Sequence, residues 1–325
     1  MRRVLTLMLA LAAVVALLAV YGPRDPIEGS VVVDLEAMDA GVDAYLYARE
    51  RSVPNLVRGT QKHVQWHDPV ARAVTDWAVV YIHGFSASSM ELRPVPKLVA
   101  DGLEANLFYT RLTGHGQDGA ALGRARVPDW IRDVNEALEI GRRIGRRTLV
   151  IATSTGGSLA TLAAVDPRLR DKMDALALVS PNFRVRATGS SLLTWPFARS
   201  FVPMLLGRER QWVPQNADHG QWWTNRYPSE AVVAMAAAAA AAAAQPVEEA
   251  RVPALFLFAD ADRVVDARAT RRVAARWGGE AALFPVQVDR GDDPESHVIA
   301  GDILSPGQTL PVAQRILVWM TAHRG

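Results

Sequence analysis

Residues 148–158 read Thr148-Leu149-Val150-Ile151-Ala152-Thr153-Ser154-Thr155-Gly156-Gly157-Ser158. An apolar, β-rich run enters at Thr148–Thr153, and a helix-compatible run leaves through Ser158–Ala164. Ser154 therefore stands on a tight turn from a buried strand into a helix. Ala152 and Gly156 lie two positions before and after it, where bulk would clash across such a turn. The helix N-terminus then directs N–H groups and positive dipole toward the serine oxygen. The usual pattern is G-x-S-x-G, so alanine at its first position is a mild departure. The same Ser, Thr and Gly residues also make a serviceable helix cap, and the turn alone does not separate the two roles.

Outward from this turn, strands and helices alternate. Apolar strands are expected at Trp77–Ile82, Ala105–Leu112, Ala175–Val179, Ala254–Phe258 and Ala282–Val288, with a short one at Lys62–Trp66. Helical spacing marks Leu35–Arg51, Leu92–Leu103, Trp130–Ile144 and Leu310–His323. Strands separated by helices imply crossover connections and a mainly parallel sheet flanked by helices, an α/β fold. The rhythm breaks between Phe183 and Arg251, where no buried strand is evident. That stretch carries Trp195, Phe197, Trp212, Trp222 and Trp223 and ends in the nine-alanine run Ala236–Ala244. It reads as a helical cap over one sheet edge, as a peripheral subdomain with its own small core, or as both. Alanine's helix propensity makes the run a helix, but its uniformity offers no chemistry.

Composition limits the functions available. The 325 residues include 36 basic and 34 acidic side chains, a net charge of +2, which gives no strong field for gathering nucleic acid. The basic cluster Arg142, Arg143, Arg146 and Arg147 reads as the solvated end of a helix. No cysteine is present, which excludes disulfides, thiolate metal sites and cysteine nucleophiles. The histidines show no helical metal-binding pair, so no metal and no cofactor is expected. At the N-terminus, Arg2 and Arg3 precede Val4–Val20, 17 residues in which only Thr6 is polar. The exit Leu18-Ala19-Val20-Tyr21-Gly22-Pro23 lacks a well-placed A-x-A cleavage pattern. Residues 1–22 are accordingly expected to form a retained signal-anchor, with the rest of the chain membrane-held outside the cytoplasm. Secretion after signal cleavage is the alternative.

Three further signals accompany Ser154. His83-Gly84-Phe85 follows an apolar strand, where a loop can supply an oxyanion donor through the Phe85 N–H, with His83 as a loop organiser. Phe256–Phe258 leads into Ala259-Asp260-Ala261-Asp262-Arg263-Val264-Val265, which places an acid just past a buried strand. Glu295-Ser296-His297 places a histidine in a loop after the last strand. Asp260 and Asp266 compete with Asp262 for the acid role, while Asp292 and Asp293 read as loop-solvating. The chain order Ser154, Asp262, His297 matches one sheet-based hydrolase architecture.

On these motifs, together with Gly114-His115-Gly116 and Asp129-Trp130…Asp133-Val134, the chain resembles the α/β-hydrolase superfamily. Within it, the sequence looks most like bacterial carboxylesterases and monoacylglycerol lipases, over about Trp77–Trp319. The resemblance implies Ser154 as nucleophile, His297 as general base and then acid, and Asp262 as its orienting partner. It also implies backbone oxyanion donors at Phe85 and Thr155, and a structural role for the Gly114–Gly116 loop. The expected organisation is a core of residues 23–183 and 251–325 with a cap at 184–250. The expected function is serine hydrolysis of carboxylic esters bearing a hydrophobic acyl or alcohol group. Thioesterase, amidase and lactonase chemistry remain open on the same triad, as does a non-catalytic binding role. Trp195, Phe197, Trp222 and Trp223 are candidates to line the substrate pocket.

Overall fold

The computed structural model describes residues 2–323. Its strands are β1 (His63–Gln65), β2 (Thr75–Ile82), β3 (Asn106–Tyr109), β4 (Gly145–Thr153), β5 (Ala175–Val179), β6 (Glu209–Gln211), β7 (Arg226–Pro228), β8 (Ala254–Phe258) and β9 (Ala281–Pro285). Seven of them form one sheet in the order β1-β3-β2-β4-β5-β8-β9. Only β1 is antiparallel to its neighbour in that sheet. The central strands are apolar and buried over most of their length because both faces are covered. Alternate residues supply two cores. Val80, Ile82, Val150, Ala152, Leu176, Leu178, Phe256 and Phe258 face one side. Val79, Tyr81, Leu149, Ile151, Ala177, Val179, Leu255 and Leu257 face the other.

The α-helices are α1 (Arg2–Tyr21), α2 (Leu35–Asp39), α3 (Val42–Glu50), α4 (Val95–Gly102), α5 (Gly119–Arg124), α6 (Val127–Ile144), α7 (Thr155–Val165), α8 (Ala198–Leu206), α9 (Ala217–Trp222), α10 (Ala231–Ala244), α11 (Ala267–Arg276) and α12 (Pro306–Thr321). Residues of α6, α7, α10 and α11 join the first core, while α4 and α12 close the second.

The stretch between β5 and β8 divides in two. Its first part contains α8, α9 and an exposed two-stranded ribbon, β6 with β7, that the sequence pattern does not reveal. Its last part, α10, packs against α7 and contributes Ala234, Ala237, Ala238 and Ala242 to the sheet's own core. Helix α7, Thr-Gly-Gly-Ser-Leu-Ala-Thr-Leu-Ala-Ala-Val, is itself rich in small residues and wholly buried. Two helices with short side chains can approach closely, which gives the alanine run a packing role.

Among the described residues, no helix is long and apolar enough to cross a membrane. This overturns the expected signal-anchor and the membrane-held localisation derived from it. The apolar run Val4–Val20 rises about 25 Å as a helix, short of a hydrocarbon core of about 30 Å. The last turn of α1 is also engaged by the protein. Arg24 donates to the carbonyls of Val20 at 3.1 Å and Ala19 at 2.5 Å. Leu18 and Ala19 share a groove with Trp195, Pro196 and Phe197.

Candidate active site

Ser154 closes the turn between β4 and α7 with φ 50° and ψ −114°. An L-residue adopts this conformation only where the surroundings enforce it. Here the Ser154 N–H donates to the Val179 carbonyl at 3.0 Å, and its carbonyl accepts the Asn182 N–H at 3.0 Å. The turn also demands glycine two positions on. A Cβ at Gly156 would lie 2.4 Å from the Ile82 carbonyl oxygen. The packing of α7 against the end of β2 is what excludes a larger residue.

His297 lies in the loop after β9. Its Nε2 is 3.0 Å from Ser154 Oγ, and its Nδ1 is 2.8 Å from Asp262 Oδ2. The other Asp262 oxygen accepts the N–H groups of Val264 and Val265, each at 2.8 Å. Asp262 is buried, and these bonds fix its carboxylate. Arg186 donates to the Asp262 carbonyl, and Val185 bridges to Val265, so the loop after β8 is stitched to the chain leaving β5. Asp260 and Asp266 are elsewhere. Asp260 pairs with Arg271 at the surface, and Asp266 caps α11.

Burial pulls the His297 imidazole toward the neutral form. The carboxylate of Asp262 beside Nδ1, supported by the charges of Glu91 and Asp293, outweighs it and holds the pKa above the ordinary histidine value. Asp293 is not the solvent-facing residue expected from sequence. It is 4% exposed, and its Oδ2 accepts the N–H groups of His297 at 3.0 Å and Val298 at 2.9 Å. Its Oδ1 accepts the amide of Gln215 at 3.1 Å, which ties the histidine loop to the segment before α9. Asp292 is also buried and accepts the N–H of Gly307 at 2.9 Å. An acid placed four residues before a loop histidine was a signal available in the sequence.

The His83-Gly84-Phe85 loop follows β2 and packs beside Ser154. His83 Nδ1 donates to the Gly84 carbonyl at 2.8 Å, and its Nε2 accepts the Leu112 N–H at 3.1 Å. Burial pushes His83 down to about 4, so it stays neutral and organises the loop. The Phe85 ring meets His115, Trp130 and Tyr227 edge-on. Thr155 occupies the first position of α7, so its N–H has no acceptor within the helix. Phe85 and Thr155 thus come from two elements that converge on Ser154.

A buried charge network underlies this loop, and nothing in the spacing of its members announced it. Lys62 pairs with Asp133 and Glu136, and Arg111 pairs with Glu50. Asp133 Oδ2 accepts the Thr113 N–H at 2.6 Å, and Trp130 Nε1 donates to the Thr113 carbonyl at 2.9 Å. Together these bonds hold the Gly114-His115-Gly116 turn against Phe85.

The four cap aromatics separate. Trp195 and Phe197, 59% and 41% exposed, line the groove against the end of α1, and the Phe197 N–H donates to the Pro23 carbonyl. The structure does not bring them to Ser154, because the chain before α8 turns outward to cover the N-terminal segment. Trp222 packs on Gly59, and Trp223 is buried in the second core beside His219. The next residue, Thr224, donates its N–H to the Ser86 carbonyl at 2.7 Å, so this bond fastens the segment to the loop after β2. A different cavity, of about 270 Å³, is lined by Val185, Leu193, Phe201, Leu205, Val232 and Met235, among others. Met235 Sδ accepts the Asn182 side-chain amide at 3.1 Å, and Asn182 is the residue bonded to the Ser154 carbonyl.

The parallel sheet, the strand-to-helix turn and the flanking helices define an α/β-hydrolase fold. The model of the serine aminopeptidase, S33 family matches residues 73–284, and the chain belongs to this hydrolase family. No curated protein matches. Among solved structures, one reported with the metagenome-derived lipolytic enzymes LipS and LipT is 18% identical, with a TM-score of 0.65 over 82% of this chain and 100% of that one. A monoacylglycerol lipase from Paleococcus ferrophilus is 14% identical, with a TM-score of 0.58 over 81% of this chain and 98% of that one. A soluble variant of monoglyceride lipase from Saccharomyces cerevisiae, in complex with a substrate analogue, is 12% identical, with a TM-score of 0.58 over 81% and 91%. These likenesses establish a shared fold.

Proposed function

We propose that this hydrolase cleaves carboxylic esters with a hydrophobic acyl or alcohol group through a covalent acyl-enzyme. One observation carries the reading: Ser154 Oγ, His297 and Asp262 form an unbroken hydrogen-bonded relay of 3.0 and 2.8 Å. His297 Nε2 accepts the serine proton as Oγ attacks the ester carbonyl, while Asp262 holds the imidazole tautomer that makes this possible. The oxyanion forms against the N–H groups of Phe85 and Thr155; one such donor is worth about 2.7–4 kcal/mol. His297 then protonates the departing alkoxide, and the acyl-enzyme is released by water that His297 deprotonates in turn.

The apolar cavity tied to Ser154 through Asn182 and Met235 favours a hydrocarbon chain over a charged substituent. Residues 184–230, with α8 and α9, act as the cap that shapes it. The test is labelling with a fluorophosphonate followed by peptide mapping, alongside p-nitrophenyl esters of increasing chain length. Modification at Ser154 and ester turnover support the reading. A folded protein that neither reacts nor turns over any ester makes the chain a binding protein instead.

A further inference from the structure

Glu91 is a buried carboxyl that the reaction scheme leaves unused. It is 3% exposed and lies in the loop between Phe85 and α4. Its Oε2 accepts the Gly84 N–H at 2.6 Å and the Tyr81 hydroxyl at 3.2 Å. Tyr81 Oη is in turn 3.3 Å from Thr153 Oγ1, on the residue before the nucleophile. A single carboxylate therefore joins the loop that carries the Phe85 N–H to the strand that carries Ser154. Fixing the peptide between His83 and Gly84 restricts how the next peptides turn, and the N–H of Phe85 belongs to one of them.

We propose that Glu91 is a positioning residue of the hydrolytic site: its carboxylate holds the Gly84 peptide, aims the Phe85 N–H at the oxyanion, and adds its negative charge to those of Asp262 and Asp293 around His297. This inference rests on the roles given above to Ser154, His297 and Phe85. Glu91 touches no reacting atom and acts through its neighbours. The Tyr81 phenol from β2 and the Gly84 N–H are bonded to it, and it interacts through charge with the His297 imidazole, which is itself bonded to Asp262, while the backbone N–H of His297 is held by Asp293. Burial pushes Glu91 up to about 7, against the Gly84 bond, the His297 charge and the Tyr81 hydroxyl. The carboxyl and the imidazole thus each feel the other's charge, and neither titrates independently of the other.

The experiment compares wild type, Glu91→Gln, Glu91→Ala and Ser154→Ala on p-nitrophenyl butyrate across the pH range in which the protein stays folded. Glutamine keeps an acceptor for Gly84 but removes the charge. Its kcat at alkaline pH should stay within about threefold of wild type. The acidic limb of its kcat/KM should move to lower pH by about half a unit or more, because His297 loses a neighbouring negative charge. Alanine also loses the anchor, and its kcat should fall about tenfold or more while KM changes little, as expected for a transition-state contact. A folded Glu91→Ala with wild-type kcat, or a Glu91→Gln limb superimposed on wild type, overturns the proposal. If the alanine variant does not fold, the glutamine profile decides alone. An active Ser154→Ala would instead remove the serine-hydrolase reading itself. An inactive Ser154→Ala beside an unmoved Glu91→Gln profile removes only the role of Glu91.

Discussion

Glu91 and Ser154 crowd the same position on Gly84: a Cβ there would lie 2.8 Å from Glu91 Oε1 and 3.1 Å from Ser154 Cβ. Neither neighbour can move without disturbing the Gly84 loop or the Ser154–His297 hydrogen bond. Gly84→Ala is therefore expected to lower kcat by about tenfold or more and to cost about 1–3 kcal/mol in stability. Ester kinetics and thermal melts of the same preparation check this, and a variant with wild-type kcat would show that the loop tolerates the methyl group.

Ser154→Ala should abolish ester hydrolysis, by about 10⁴-fold or more, and leave the melting temperature close to wild type. Ser158 gives the contrasting result. Its Oγ donates to the Asn182 carbonyl within the core. Ser158→Ala should retain fluorophosphonate labelling but lose about 1–2 kcal/mol, because that buried acceptor is left unpaired. Activity surviving in Ser154→Ala and lost in Ser158→Ala would reverse the assignment.

The His297 imidazole must be neutral to take the serine proton, and it is held above the ordinary value of 6.5. Activity should thus be full at alkaline pH and fall on acidification, with the midpoint of kcat/KM above 6.5. Replacing Asp293 with Ala removes a negative charge and three backbone anchors of the histidine loop. It should lower both that midpoint and kcat. An acid midpoint well below 6.5 in the wild type would contradict the arrangement of charges around His297.

Glu91 gives a stability prediction whose sign follows from linkage. Its folded-state pKa, about 7, lies above the ordinary 4.5, so its contribution is complete below 4.5 and is lost as pH rises through 7. Glutamine carries no such titration. The melting temperature of Glu91→Gln relative to wild type should therefore climb between these two values, toward an advantage of up to about 3 kcal/mol. A difference that stays flat over the range would mean that the carboxyl is not held in its protonated form by the fold.

Chain-length selectivity should follow the cavity lined by Leu193, Phe201 and Met235. Each methylene buried there contributes up to about 0.8 kcal/mol to binding. Turnover should rise with acyl length until the cavity fills. Leu193→Trp should cut the rise short with little change for acetate, and Trp195→Ala should leave the profile as it is. Measuring kcat/KM over a p-nitrophenyl ester series separates these outcomes, and a profile governed by Trp195 would return the pocket to the groove beside α1.

Although α11 and the β6–β7 ribbon were not, the order of the sheet strands and most of the helices flanking them, the turn at Ser154 and the three residues of the hydrogen-bonded chain were legible in the sequence itself. Each rests on local rules: alternation of apolar residues, small residues flanking a tight turn, and an acid or a histidine just past a strand. Local rules do not choose among Asp260, Asp262 and Asp266, since all three follow one strand within a span of seven residues. Only the folded loop after β8 shows that Asp262 turns inward while its neighbours meet arginines.

The remainder depended on contacts between distant segments. The Lys62–Asp133–Glu136 cluster, and the link from Glu91 through Tyr81 to Thr153, gain their roles from partners that no spacing rule connects. The cap aromatics show the same limit. Sequence fixes that tryptophans are costly to expose, but not whether they are covered by substrate, by the second core or by the end of α1. Likewise, the run Ala236–Ala244 determines a helix through propensity, while its place against the small residues of α7 comes from the shape of a neighbour. Local chemistry in this protein was set by the order of its residues. Burial, partner choice and the charge carried by each acid were decided by tertiary packing, because desolvation and pairing depend on what surrounds a group in space.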